Sequence, residues 1–139
     1  VSRPSWELYA LALAKTASSR SEDPWHKVGC ALMRHDHTVA ALGYNGAPTG
    51  IEIDWSDRDA RRIHVIHAEA NALRYVHPSE IELLATTMMP CAQCILLAAA
   101  YRIGRVVYLE ELDPKVYDIQ AIMRTAAMCG IDLIRMELQ

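Results

Sequence analysis

The stretch Glu82–Leu109, ELLATTMMPCAQCILLAAAYRIGRVVYL, decides the fold. Glu82–Thr87 is a short run of apolar and β-branched residues and reads as a strand. Cys91–Tyr101 is rich in Ala and Leu and reads as a helix, after which Arg105–Leu109 returns to strand character. Two strands joined through a helix lie parallel in one sheet, because a crossover needs a connection of that size. Pro90 has no N–H to lose and fixes the chain as it enters the helix. Cys91 and Cys94, three apart in the first turn, share a face and can converge on one ion. The unpaired N–H groups and positive dipole end of that turn favour thiolate over thiol.

Working outward, the same alternation extends in both directions. Residues 5–19 carry Trp6, Ala10, Leu13 and Ala17 at helical spacing, with Pro4 and Ser5 as start signals. Val28–Arg34 and Thr38–Leu42 read as strands joined by the polar turn His35-Asp36-His37. From Gly43 to about Arg62 the chain is irregular, and a segment of that length has a function or a short helix of its own. Ile63–Tyr75 predicts a helix stopped near Pro78. Downstream, Lys115–Met128 predicts a helix with Gly130 in a C-cap position, and Ile131–Met136 the last strand. The expected architecture is α/β: one domain over residues 1–139, a mixed five-stranded sheet between helical layers with its last strands parallel.

Composition narrows the function classes. The chain has 139 residues, 52% of them hydrophobic and 22% charged, which suits one buried core and argues against bulk disorder. Its net charge of −3 is unlike the basic balance of proteins that grip long nucleic acid, so a small-molecule partner is favoured. Cys30, Cys91, Cys94 and Cys129 do not form a disulfide scaffold, and one close pair suits metal or redox chemistry in a reducing compartment. No secretory leader or membrane-spanning apolar run is read from the sequence, so a cytoplasmic location is expected.

The second motif is His67-Ala68-Glu69. His67 with Cys91 and Cys94 makes a Cys₂His set, and three protein ligands leave the fourth tetrahedral position of a zinc ion open for water. Glu69 follows His67 by two, about 200° of helical rotation, so His67 belongs in the first turn with Glu69 approaching from beside it. A carboxylate there accepts and returns protons, and zinc brings the pKa of its water to about 7. His64 shares a helical face with His67, but a further ligand would close the open position; it reads as a hydrogen-bonded structural residue. His26, His35, His37 and His77 read as solvated, and Cys30 and Cys129 as small buried apolar residues. The Asp54–Arg62 charges alternate in sign and read as a solvated, self-paired face.

These motifs match the H-x-E and P-C-x-x-C signature of the zinc deaminases. Ser5-Trp6, Arg20-Ser21-Glu22-Asp23-Pro24, Val28-Gly29, the loop Gly43-Tyr44-Asn45-Gly46-Ala47-Pro48-Thr49-Gly50 and His67 to Ala72 narrow the likeness. The chain resembles the deoxycytidylate (dCMP) deaminases from roughly Arg3 to Glu137. The resemblance implies a cytidine-deaminase-like fold and hydrolysis of dCMP to dUMP and ammonia, supplying dTMP synthesis. It implies a zinc-bound hydroxide as nucleophile, with Glu69 as proton shuttle. Asn45 is then the expected nucleotide contact, Arg20 a phosphate contact, and Lys115 and Tyr117 weaker candidates for the same end. It further implies a homo-oligomer, commonly a hexamer, activated by dCTP and inhibited by dTTP, with Asn45, Gly46, Gly50 and Glu52 near the effector site. A helix before the last strand resembles the deaminases of nucleotides and nucleic acids more than the free-cytidine ones.

Some relatives carry a second, structural zinc. Here Asp23 stands at the first of those positions and residues 51–66 contain no Cys, so one Zn2+ per chain is expected. One rival reading is a deaminase of RNA or single-stranded DNA, which would use Trp25 and Trp55 for stacking in a basic groove. The other is a non-catalytic zinc or thiol protein built on Cys91 and Cys94.

Overall fold

A computed structural model describes residues 2–139. Helix α1 (Trp6–Ser18) starts at Ser5, whose hydroxyl accepts the Leu8 N–H at 3.2 Å. Its buried face is Ala10, Leu11, Ala14, Ala17 and Ser18, one step round from the predicted stripe, and Trp6 is 47% exposed. The reason is close packing. A Cβ on Gly29 would stand 1.9 Å from the Ala14 carbonyl oxygen, so α1 lies down along its small residues where the strand has no side chain.

The sheet has five strands in the order β2-β1-β3-β4-β5. They are β1 (Gly29–Arg34), β2 (Val39–Tyr44), β3 (Ile81–Met88), β4 (Arg105–Glu110) and β5 (Asp132–Arg135). β1 runs antiparallel to both β2 and β3, whereas β3, β4 and β5 are mutually parallel. β2 and β3 therefore point the same way, as strands flanking a helical crossover should. The β1–β2 hairpin closes where Arg34 N–H reaches the Thr38 carbonyl at 2.8 Å, with His37 at φ 69.

Alternate residues of the strands face opposite layers. Cys30, Leu32, Leu84, Val106 and Tyr108 pack with Ala68, Ala72, Leu73, Ile95, Ala98, Ile122 and Ala126 on the face bearing α3 (Ala68–Leu73), α4 (Ala92–Ala100) and α5 (Ile119–Met128). Leu83, Ala85 and Val107 join Met33, Ala10 and Leu11 of α1 on the other. The three-layer α/β/α fold with parallel later strands is as expected.

Two elements differ from the sequence reading. The expected single helix Ile63–Tyr75 is two: α2 (Arg58–His64), then α3. Between them Ile66 pairs with Gly46 across a short antiparallel bridge, N···O 2.9 and 3.1 Å, and that pairing pulls Val65–His67 into extended backbone. The last helix begins at Ile119 rather than Lys115, because Asp118 caps it by accepting the Ala121 N–H at 3.0 Å, while residues 114–116 form a turn. Its end is as read, with Gly130 at φ 70 after Cys129.

Candidate active site and metal centre

The site lies beyond the carboxyl ends of β2, β3 and β4, where open α/β sheets place their ligands. The parallel β3–β4 pair is locked there by the Met89 N–H on the Glu110 carbonyl at 2.7 Å. His67 is the N-cap of α3 and Cys91 the N-cap of α4, both in extended backbone and neither using its side chain as a cap. Their side chains are thus left for a ligand, and Cys94 joins Cys91 from the first turn of α4.

His67 Nδ1 is 3.4 Å from Cys94 Sγ and 3.7 Å from Cys91 Sγ. Zn–N and Zn–S bonds of about 2.0 and 2.3 Å at tetrahedral angles put nitrogen and sulfur about 3.5 Å apart, so the donor set fits zinc as it stands. Among the described residues this is the cluster able to hold a metal ion. The Cys91 thiol is pushed down to about 4, first by the hydrogen bond with Cys94 and then by that with His67. The bond to Cys91 likewise raises the His67 pKa against the opposing effect of burial. Thiolate is the form that binds metal.

Glu69, in the first turn of α3, is 4% exposed. Burial raises its pKa, and the nearby His67 opposes the rise. Because His67 sits outside the helical turn, the helical divergence of the pair does not apply. His67, Glu69 and Cys91 all line one cavity of about 640 Å³.

A buried polar network forms the wall beside them. Asn45 accepts the Val28 N–H at 2.9 Å and donates to the His26 carbonyl at 2.8 Å and to Asp23 Oδ2 at 3.3 Å. Asp23 Oδ1 accepts the N–H groups of Trp25 and His26. Asp23 Oδ2 also takes the Arg61 guanidinium at 2.5 Å, with side-chain exposures of 0% and 10%. Arg61 stacks over Trp25 at 5.3 Å. The network ties the chain before β1, the end of β2 and helix α2 into one frame.

With that geometry in view, the known proteins decide the family. Residues 4–110 match the model of the cytidine and deoxycytidylate deaminase zinc-binding region. The chain belongs to this family. It is 37% identical to the deoxycytidylate deaminase of Mycobacterium phage D29 over 129 residues, covering 80% of this chain and 99% of the phage protein. A probable deoxycytidylate deaminase of Caenorhabditis elegans is 32% identical over 111 residues, 74% of this chain but only 56% of the nematode protein. Among solved structures, the dCMP deaminase of cyanophage S-TIM5 in complex with dCMP and dUMP has the same fold. Its TM-score is 0.75 at 23% identity, covering 98% of this chain and 100% of that one. As in the zinc-binding deaminase family, His67, Cys91 and Cys94 are the zinc ligands.

The other candidates divide. Asn45 and Tyr117 line the cavity with His67 and Cys91. Lys115 is exposed and outside the lining, its N–H held by Asp113 at 2.9 Å. Arg20 is exposed past the end of α1 and is also outside the lining. Gly46 is held in the bridge to Ile66, while Gly50, at φ 84, and Glu52 lie in exposed backbone. His64 is exposed at the end of α2, away from the zinc ligands' cluster. Cys30 is fully buried, and burial, then Glu69, raises its pKa well above the ordinary thiol value.

The solvated reading of Asp54–Arg62 holds for Asp54, Asp57, Arg58, Asp59 and Arg62, which are exposed, and is corrected at Arg61, which is buried against Asp23. Arg58, Arg61 and Arg62 of α2 line the cavity. Asp57 carried the readable signal, since its side chain caps α2 by accepting the Asp59 and Ala60 N–H groups. His26 lines the cavity too, as do Glu110, Glu111 and Asp113 from the end of β4.

Proposed function

We propose that the protein hydrolyses dCMP to dUMP and ammonia. The observation that carries this reading is the Cys₂His zinc set, whose His67 and Cys91 open with buried Glu69 on one cavity of nucleotide size. The named relatives and the Gly43–Gly50 loop support cytosine deoxynucleotide as the substrate. When bound, zinc supplies a Lewis acid that makes water nucleophilic near neutral pH.

The chain's own residues manage position and protons. Glu69 takes a proton from the attacking water and delivers it to N3 of the cytosine ring, then takes the remaining hydroxyl proton and carries it to the departing amino group. The C4–O bond forms first, as N3 takes its proton, and the C4–N bond then breaks as the C4 carbonyl forms, leaving uracil and ammonia. Burial suits this role, because a carboxyl whose proton affinity is raised holds the proton between transfers. Asn45 fixes the loop at the cavity wall, and Tyr117, which also lines the cavity, is a further nucleotide contact. Changing Glu69 to Gln tests the assignment: ammonia release should fall by about 10²-fold or more, while zinc content is retained. Unchanged turnover would contradict it.

An acidic edge of Glu110, Glu111 and Asp113 argues against a polymeric substrate, whose further phosphates would meet like charge. Trp25, a stacking candidate for such a strand, already carries the Arg61 guanidinium on one face of its ring. As part of the same reading, the enzyme is a cytoplasmic homo-oligomer, hexameric by family likeness. It is activated by dCTP and inhibited by dTTP through the loop holding Asn45, Gly46, Gly50 and Glu52. Titrating both triphosphates against dCMP turnover checks this, and a rate indifferent to them would remove regulation from the proposal.

A further inference from the structure

The cavity is electrically two-sided. Glu110, Glu111 and Asp113 line it from the end of β4, while Arg58, Arg61 and Arg62 line it from α2. Arg58 and Arg62 are four apart on a helix and so share one face. Among the described residues neither takes part in an ion pair, although Arg61 between them is committed to Asp23. Arg61 also has a buried Nε with no hydrogen-bond partner, so one donor on this wall is left unsatisfied.

Guanidinium groups left unpaired at a cavity wall are suited to a bidentate grip on phosphate. The opposing carboxylates would repel the same group, which gives a nucleotide one favoured orientation. We propose that Arg58 and Arg62 form the subsite for the substrate's 5′-phosphate and make the pocket select a nucleotide over a nucleoside. This rests on the dCMP reading and replaces Arg20 and Lys115 as the phosphate contacts.

The test compares the zinc-loaded wild type with R58Q, R62Q, the double variant R58Q/R62Q, and the charge-preserving R58K/R62K. Two readouts are taken: KM and kcat for dCMP, and calorimetric binding of dUMP against deoxyuridine, which lacks the phosphate. The double Gln variant should raise the KM for dCMP and weaken dUMP by about 10- to 100-fold, with deoxyuridine binding and kcat little changed. Each single variant should show part of the loss, and the Lys pair should recover part. The inference is overturned if dUMP binding is unaffected, if deoxyuridine weakens equally, or if K115Q alone reproduces the loss. A wild type that binds dUMP through these arginines but does not deaminate dCMP would support the subsite and fault the reaction assignment instead.

Discussion

Removing Arg61 leaves the Asp23 carboxylate buried without its counter-ion. Changing Arg61 to Met should therefore cost about 3–5 kcal/mol of stability, read by urea unfolding. Asp23→Asn keeps an oxygen for the Trp25 and His26 N–H groups and should cost less. This pair shows why some of the site was illegible in the sequence. Arg61 sits among alternating charges that read as neighbours satisfying one another, whereas its partner lies 38 positions away. The zinc cysteines were legible because spacing alone places them, Cys91 and Cys94 needing only one helical turn, and His67 was legible through its motif with Glu69. The cysteines also differ in a measurable way. Without zinc, Cys91 is thiolate above about pH 4, so at pH 5.5 it should alkylate readily and be protected by added zinc. Cys30, buried and held as thiol, should stay unmodified through pH 9 in the folded protein.

At the scale of elements, two glycines set how closely helices approach the sheet. A Cβ on Gly43 would stand 2.6 Å from the Ala68 carbonyl oxygen and from the Ala72 nitrogen. Gly43→Ala should push α3, which carries Glu69 and is capped by His67, away from β2. The expected result is a loss of about 1–3 kcal/mol together with weaker zinc binding, measured by unfolding and competitive chelation. Full zinc affinity in a folded G43A protein would show that α3 is not held by this contact. Strand and helix types were readable from periodicity except in the Gly43–Arg62 segment, read as irregular, which holds the end of β2 and most of α2. The break between α2 and α3 was not, because Val65 and Ile66 continue the apolar pattern across it. The interruption comes from Gly46, whose pairing with Ile66 is a long-range contact.

For the whole molecule, zinc joins the N-terminal ends of α3 and α4, which lie on the same face of the sheet. Binding to the folded state alone adds stability by mass action, so chelation should lower Tm and zinc should restore it. The layer order was legible from the alternation of elements, since crossover rules leave few arrangements. The cavity's charge distribution was not, because it gathers side chains from α2 and from the end of β4, distant in sequence. The most direct measurement is ammonia release by the zinc-loaded protein on dCMP, dCTP, deoxycytidine and cytidine. Turnover of dCMP at least about 100-fold more efficient than of either nucleoside is the predicted result. No ammonia from dCMP, or equal turnover of cytidine, would contradict it.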